Sequence, residues 1–191
     1  MSGGIFWTDF RGPNRDGHYT ERAVLTDWPK AGPRQLWKQP VGGGYASFTV
    51  AQGVAYTIEL RREQEAVTAY DFNTGAELWA HTYQAWFKEW MGGDGPRATP
   101  TWHDGKIYSL GAMGELRCLD AHDGKLLWRH DLLREHHGTN LMYGLSGSPL
   151  IVDEKVIVLS GEPQGRDGKS ILAYHKLTGE LLWSVNAGTM A

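Results

Sequence analysis

The sequence predicts an all-β fold built from about three copies of a four-stranded antiparallel unit, and three observations carry that expectation. An eleven-residue stretch, Ala69-Tyr-Asp-Phe-Asn-Thr-Gly-Ala-Glu-Leu-Trp79, recurs without gaps as Cys118 to Trp128 and as Ala173 to Trp183. A second block, Ser47 to Thr57, aligns with Thr99 to Ser109 and with Ser148 to Val158. Trp37, Trp79, Trp128 and Trp183 follow one another at spacings of 42, 49 and 55 positions. A unit of that period holding four short strands describes one blade of a β-propeller, and a β-sandwich does not repeat its own sequence in this way.

Residues 1–33 come first and read as an irregular arm pinned by aromatics, because Gly, Pro, Asn and Asp are dense in Phe10-Arg-Gly-Pro-Asn-Arg-Asp-Gly17, Trp28-Pro29 and Gly32-Pro33. Gln35-Leu-Trp37-Lys38 then matches only the end of the repeat, so residues 34–46 read as strand D of an incomplete blade. Blade 1 spans 47–83, blade 2 spans 98–132 and blade 3 spans 147–187, within a propeller region of 34–191. In each, the Ser47-type block supplies strands A and B around a short turn. Val67–Tyr70, Leu116–Leu119 and Ile171–Tyr174 supply strand C, and Glu77–Trp79, Leu126–Trp128 and Leu181–Trp183 supply strand D. Gly75, Gly124 and Gly179 sit where the C-to-D hairpin needs a positive φ. Tyr83 to Trp90 is expected to form a short helix in the link to blade 2.

Composition narrows the function classes. The 191 residues are 41% hydrophobic and 21% charged, as in globular chains, with an excess of Gly (25) and Trp (9) that fits many tight turns and large apolar anchors. A net charge of −3 with scattered signs gives no basic stripe for nucleic acid. The longest apolar runs, 150–152 and 156–159, are far too short for a transmembrane segment. One cysteine, Cys118, excludes an internal disulfide and CxxC chemistry, and its place in a repeated apolar run predicts buried packing. Met1 to Trp7 carries neither a basic nor an apolar leader region, so no signal peptide is read there.

The repeat Ala-x-Asp-x-x-Thr-Gly-x-x-Leu-Trp resembles that of the PQQ-like β-propeller family, which includes quinoprotein alcohol dehydrogenases and the outer-membrane assembly lipoprotein of the BAM complex. Trp7-Thr-Asp-Phe-Arg-Gly-Pro-Asn-Arg-Asp-Gly17, Gly95-Pro-Arg-Ala-Thr-Pro-Thr101 and Tyr143-Gly-Leu-Ser-Gly-Ser-Pro-Leu150 are similar to elements of the PQQ-binding-like repeat proteins of bacteria. The resemblance implies that Trp37, Trp79, Trp128 and Trp183 dock adjacent blades. It implies a periplasmic or secreted setting. Three blades leave two exposed sheet edges where propellers close with four to eight, so the chain is expected to be the N-terminal part of a seven- or eight-bladed ring whose remaining blades join these in cis. Its dehydrogenase members use PQQ with calcium. Here the vicinal disulfide seen in many of them is impossible, and no calcium-binding set can be carried over, so the expectation is no cofactor and no metal.

Loop length separates the two faces of such a propeller. The C-to-D turns are constant, whereas the D-to-A links and B-to-C connections vary, and variable loops on a fixed scaffold are where binding concentrates. That face carries the candidate ligand or partner residues Tyr45, Glu59, Glu65, Trp90, Arg97 and Tyr143. Arg97 reads in two ways, as a fork for an anionic ligand or as a lock bonding Glu63, Glu65 or backbone carbonyls between blades. His136-His137 and the scattered Asp9, Asp16 and Asp104 lack metal-ligand spacing. No catalytic signature such as GxSxG, HExxH or a P-loop is present. The expected function is a non-catalytic binding or scaffold module for a protein or small polar ligand, probed against the alternative of an N-terminal part of a PQQ-dependent dehydrogenase.

Overall fold

The structure, a computed structural model, describes residues 6–21, 23–165 and 167–187. The first five residues of the arm and the last four of the propeller region therefore lie outside the described residues. Blade 1 is formed by β1 (Thr49–Ala51), β2 (Val54–Arg61), β3 (Gln64–Asp71) and β4 (Glu77–Gln84), hydrogen-bonded in that order. Blade 2 repeats the order with β5 (Thr101–His103), β6 (Lys106–Leu110), β7 (Glu115–Asp120) and β8 (Leu126–Asp131). A four-residue helix, α1 (Leu132–Glu135), and a short strand, β9 (Gly138–Thr139), follow. Blade 3 is β10 (Leu150–Val152), β11 (Lys155–Leu159), β13 (Ile171–His175) and β14 (Leu181–Val185), with β12 (Glu162–Pro163) leaving the blade to pair with β9. All pairings are antiparallel.

The repeated sequence produces repeated local structure. The β1–β2 and β5–β6 turns place both central residues at positive φ, Gln52 (52°) with Gly53 (79°) and Asp104 (46°) with Gly105 (71°), which matches the twist of the flanking strands. At the β3–β4 hairpin, Asp71 holds the turn by accepting from the Asn73 and Thr74 amides at 3.0 and 2.7 Å. The pairing of strands C and D then slips at the same place in every blade: Ala69/Tyr70, Cys118/Leu119 and Ala173/Tyr174. Such a bulge increases local twist, as a wedge-shaped blade requires.

The core lies between the sheets. Tyr56, Ile58, Val67 and Ala69 of blade 1 pack on Ile107, Leu119 and Ala121 of blade 2. Leu110, Leu116, Cys118 and Trp128 of blade 2 pack on Val156, Val158 and Leu172 of blade 3. Cys118 is fully buried, and burial pushes its thiol up to about 12, so it is an inert packing residue.

Three expectations differ from the structure. Tyr83 to Trp90 forms no helix: β4 runs on to Gln84, because Tyr83 is held opposite Glu65 on β3, and the following residues carry no helical pairing. Residues 34–42 form no ladder, and the backbone of this segment pairs with blade 1 only at the isolated bridge from Gly43 to Leu60. Glu59 and Glu65 do not lie on a loop. Arg61 pairs with Gln64, so the β2–β3 connection is only Arg62-Glu63 and both glutamates are strand residues.

Candidate binding face

The four repeated tryptophans fall into a series. A Cβ added at Gly75 would lie 2.5 Å from the Trp37 ring, one at Gly124 2.6 Å from Trp79, and one at Gly179 2.9 Å from Trp128. Each of these three indoles also donates to the carbonyl three residues before that glycine: Trp37 to Phe72 (2.9 Å), Trp79 to Ala121 (3.1 Å) and Trp128 to Lys176 (3.0 Å). Tyr56 and Tyr108 donate to the same Ala121 and Lys176 carbonyls, at 3.2 and 3.1 Å. One glycine turn of each blade is thus a seat for the flat face of the preceding Trp, and in blades 2 and 3 one turn carbonyl takes the indole and a phenol together. Trp128 is 9% exposed in its seat, while Trp183 is 38% exposed.

A second series links the inner strands. Thr49 Oγ donates to the Pro100 carbonyl and Thr101 Oγ to Pro149 at 2.6 Å, and the Ser47 and Thr99 amides donate to Thr99 Oγ (3.0 Å) and Ser148 Oγ (2.9 Å). The equivalent Ser/Thr-Pro registers, Thr99-Pro100 and Ser148-Pro149, were the available sequence signal for it.

The charged candidates are consumed by the protein. Arg97 is buried over the rings of Phe87 (4.7 Å) and Tyr45 (5.2 Å) and donates to the carbonyls of Gly95 and Gly93, the latter at 2.7 Å. Glu89 lies 3.9 Å away, its carboxylate held below the usual range by the amides of Met91 and Gly92. Arg97 therefore ties its own loop together; it reaches neither Glu63 nor Glu65. Glu59 accepts from the Gly42 amide, from Arg61 at 2.8 Å and from the Tyr70 hydroxyl at 3.1 Å. Glu65 is fully buried, taking the Tyr83 hydroxyl at 2.7 Å and the blade 2 amide of Ala112 at 3.0 Å. Burial raises its carboxyl above the ordinary range, and those two donors oppose the shift only in part.

The aromatic candidates stand differently. Trp90 is 89% exposed, Tyr45 61% and Tyr143 48%, with Met91 and Met142 exposed beside them in sequence. The two long links converge, since Gly144 sits with its α-carbon side against Ala112 and the Phe87 ring. Tyr45 joins through its amide, which donates to the Pro96 carbonyl at 2.8 Å. The face is an apolar and aromatic surface raised on loops whose buried residues are fixed.

The remaining candidates are occupied singly. His136 Nε2 lies 2.6 Å from the Tyr174 hydroxyl, and burial holds its ring below the ordinary histidine value. His137 instead offers its backbone carbonyl to the Gln164 amide. Asp104 meets His103 at 3.1 Å, and Asp16 meets His18 at 3.5 Å. Asp9 is buried and bonded by Arg15 and Thr101, a pairing that spacing alone did not reveal. Among the described residues no three His, Cys, Asp or Glu side chains converge as a metal-binding group.

Comparison with known proteins places this geometry. The chain is 30% identical over 102 residues to quinohemoprotein alcohol dehydrogenase ADH IIB of Pseudomonas putida, a match covering 52% of this chain and 14% of that protein. Among solved structures it is similar to a europium-containing methanol dehydrogenase (TM-score 0.55, 22% identity, 76% of this chain and 25% of that one). It is similar too to the quinohemoprotein alcohol dehydrogenase of Comamonas testosteroni (TM-score 0.55, 24% identity, 76% of this chain and 21% of that one). The chain thus spans about a seventh of the curated relative and a quarter or less of these structures, which share its fold. Residues 63–191 match the family described as outer membrane protein assembly factor BamB, and the chain belongs to that family of PQQ-like β-propellers.

Proposed function

We propose that the protein is a non-catalytic binding or scaffold module, working outside the cytoplasm, whose partner is a protein held on the loop face by Tyr45, Trp90 and Tyr143. The observation that carries this reading is the division within that face: its aromatics are exposed, whereas Arg97, Glu59 and Glu65 are bonded inside the protein. Exposed aromatics and Met on a rigid support are the side chains that protein interfaces favour. Rigidity comes from the Arg97 and Glu89 ties within the loop. We also propose that a further blade docks on Trp183, whose indole is the one in the repeated series left without a glycine seat among the described residues.

A second reading, part of a PQQ-dependent dehydrogenase, is favoured by the identity to the Pseudomonas enzyme. The residues described here do not suit the cofactor. PQQ is a polycarboxylate that calls for free cations beside a metal-binding carboxylate set. On this face Arg97 already donates from both terminal nitrogens to backbone carbonyls, and the buried glutamates already hold their donors. The experiment is to add PQQ and calcium to the full-length protein and follow quinone absorbance and alcohol-dependent dye reduction. The scaffold reading expects neither, and a stoichiometric bound quinone with turnover would replace it by the second.

A further inference from the structure

The middle residues of the inner strands β1 and β5 turn backbone groups away from their own blades, toward the side of the ring axis. Val50 on β1 and Trp102 on β5 are equivalent positions of the repeat. Three of their four backbone amide and carbonyl groups are taken by the arm. The Trp7 amide donates to the Val50 carbonyl at 2.7 Å, and the Val50 amide donates back to Trp7 at 2.9 Å. The next arm residue, Thr8, accepts from the Trp102 amide at 2.9 Å. One residue further, Asp9 accepts from Thr101 Oγ at 3.2 Å. Three successive residues of the arm thus step across two blades.

The third blade is reached through a side chain. Asp9 is buried and accepts Arg15 in a two-point pair, Nε to Oδ2 and Nη2 to Oδ1, both at 2.9 Å. The same Nη2 donates to the carbonyls of Ser148 (3.0 Å) and Pro149 (2.8 Å), immediately before β10. A bidentate Arg–carboxylate pair fixes direction as well as distance. The loop that returns Arg15 to Asp9 is tightly shaped. Arg11 and Arg15 both adopt positive φ, and a Cβ on Gly12 would lie 2.9 Å from the Trp7 ring.

From this placement we infer that Trp7 to Arg15 is an axial strap. It takes the hydrogen-bonding positions of three successive blades that face the ring axis, fixes those blades in register, and closes that stretch of the axis to any ligand. A buried backbone donor must find a partner, and here the partner is supplied by a segment outside the repeat. The strap is separable from the blades themselves: its contacts are with outward-facing groups, so its release leaves each four-stranded ladder intact.

Hydrogen exchange of the full chain tests it, comparing the native sequence with Arg15→Ala and with an Asp9→Ala/Arg15→Ala double variant. The strap predicts that the Val50 and Trp102 amides exchange at least tenfold faster in the double variant, with a smaller rise in the single one, while the Leu116 and Cys118 amides within blade 2 keep their protection. The inference is overturned if Val50 and Trp102 stay as slow as in the native chain in both variants. It is equally overturned if all four amides speed up together in both, because the arm would then be part of the blades' common core.

Discussion

Gly124 and Gly105 share a backbone conformation, at φ of 73° and 71°, and differ in what lies above them. A Cβ at Gly105 meets nothing within 4 Å, whereas one at Gly124 falls 2.6 Å from Trp79. Gly105→Ala should therefore cost only the left-handed strain of about 1–2 kcal/mol. Gly124→Ala should cost that and the displacement of Trp79, in total about 3 kcal/mol or more. Paired thermal melts check the difference, and equal losses would show that the turn glycine serves conformation alone. Glu65 gives a second contrast. Glu65→Ala leaves the Ala112 amide and Tyr83 hydroxyl without their acceptor in a buried site, a loss of about 2–3 kcal/mol. Its sign with pH follows from the raised carboxyl: the folded state holds the proton more tightly, so the contribution is full below the unfolded value near 4.5 and declines as pH rises through the folded value. Denaturant melts should show a larger loss for Glu65→Ala at pH 5 than at pH 8, and a loss that grows with pH would contradict the assigned direction.

At the scale of the element, the repeated Trp is worth what its neighbour makes of it. Trp128→Ala empties a seat with a full set of contacts and should cost about 3–5 kcal/mol. Trp183→Ala, with its ring partly in solvent, should cost less than half as much in this chain, a ranking that denaturant melts would expose. The blades were readable from the sequence because turn glycine, docking Trp and alternating strands recur in register, and repetition averages out local ambiguity. What could not be read depended on contacts between distant segments. Glu59 and Glu65 look like loop residues when strand length is inferred from the shorter blades, yet β2 and β3 extend because Arg61, Tyr70 and Tyr83 supply partners for both carboxylates. Tyr83 to Trp90 has helix-like aromatic spacing, and the Tyr83–Glu65 bond holds its start in a strand. The exposed aromatics Tyr45, Trp90 and Tyr143 could be named from their loops, but the internal bonding of Arg97 depends on how Gly93 and Gly95 turn their carbonyls.

Across the whole molecule, stability resides between blades, so groups at those seams should set its response to acid. Burial holds the rings of His81 in β4 and His136 after α1 below the ordinary value of 6.5. The folded state then favours the neutral rings, and their contribution is full above about pH 6.5 and declines as pH falls toward the folded values. Melting temperature should drop between pH 7.5 and 5.5, and His81→Gln should flatten the slope; an unchanged slope in that variant would remove His81 from the account. The seams hold the scaffold, and the scaffold presents the loop face. The most direct measurement of that division is site-specific photo-crosslinking of the full-length protein in its native cell, with the probe at Trp90 or Tyr143 and, on the opposite face, at His122. Positions 90 and 143 should each give a discrete protein adduct, and position 122 none. Adducts from 122 alone, or no adduct from either loop position, would contradict that division.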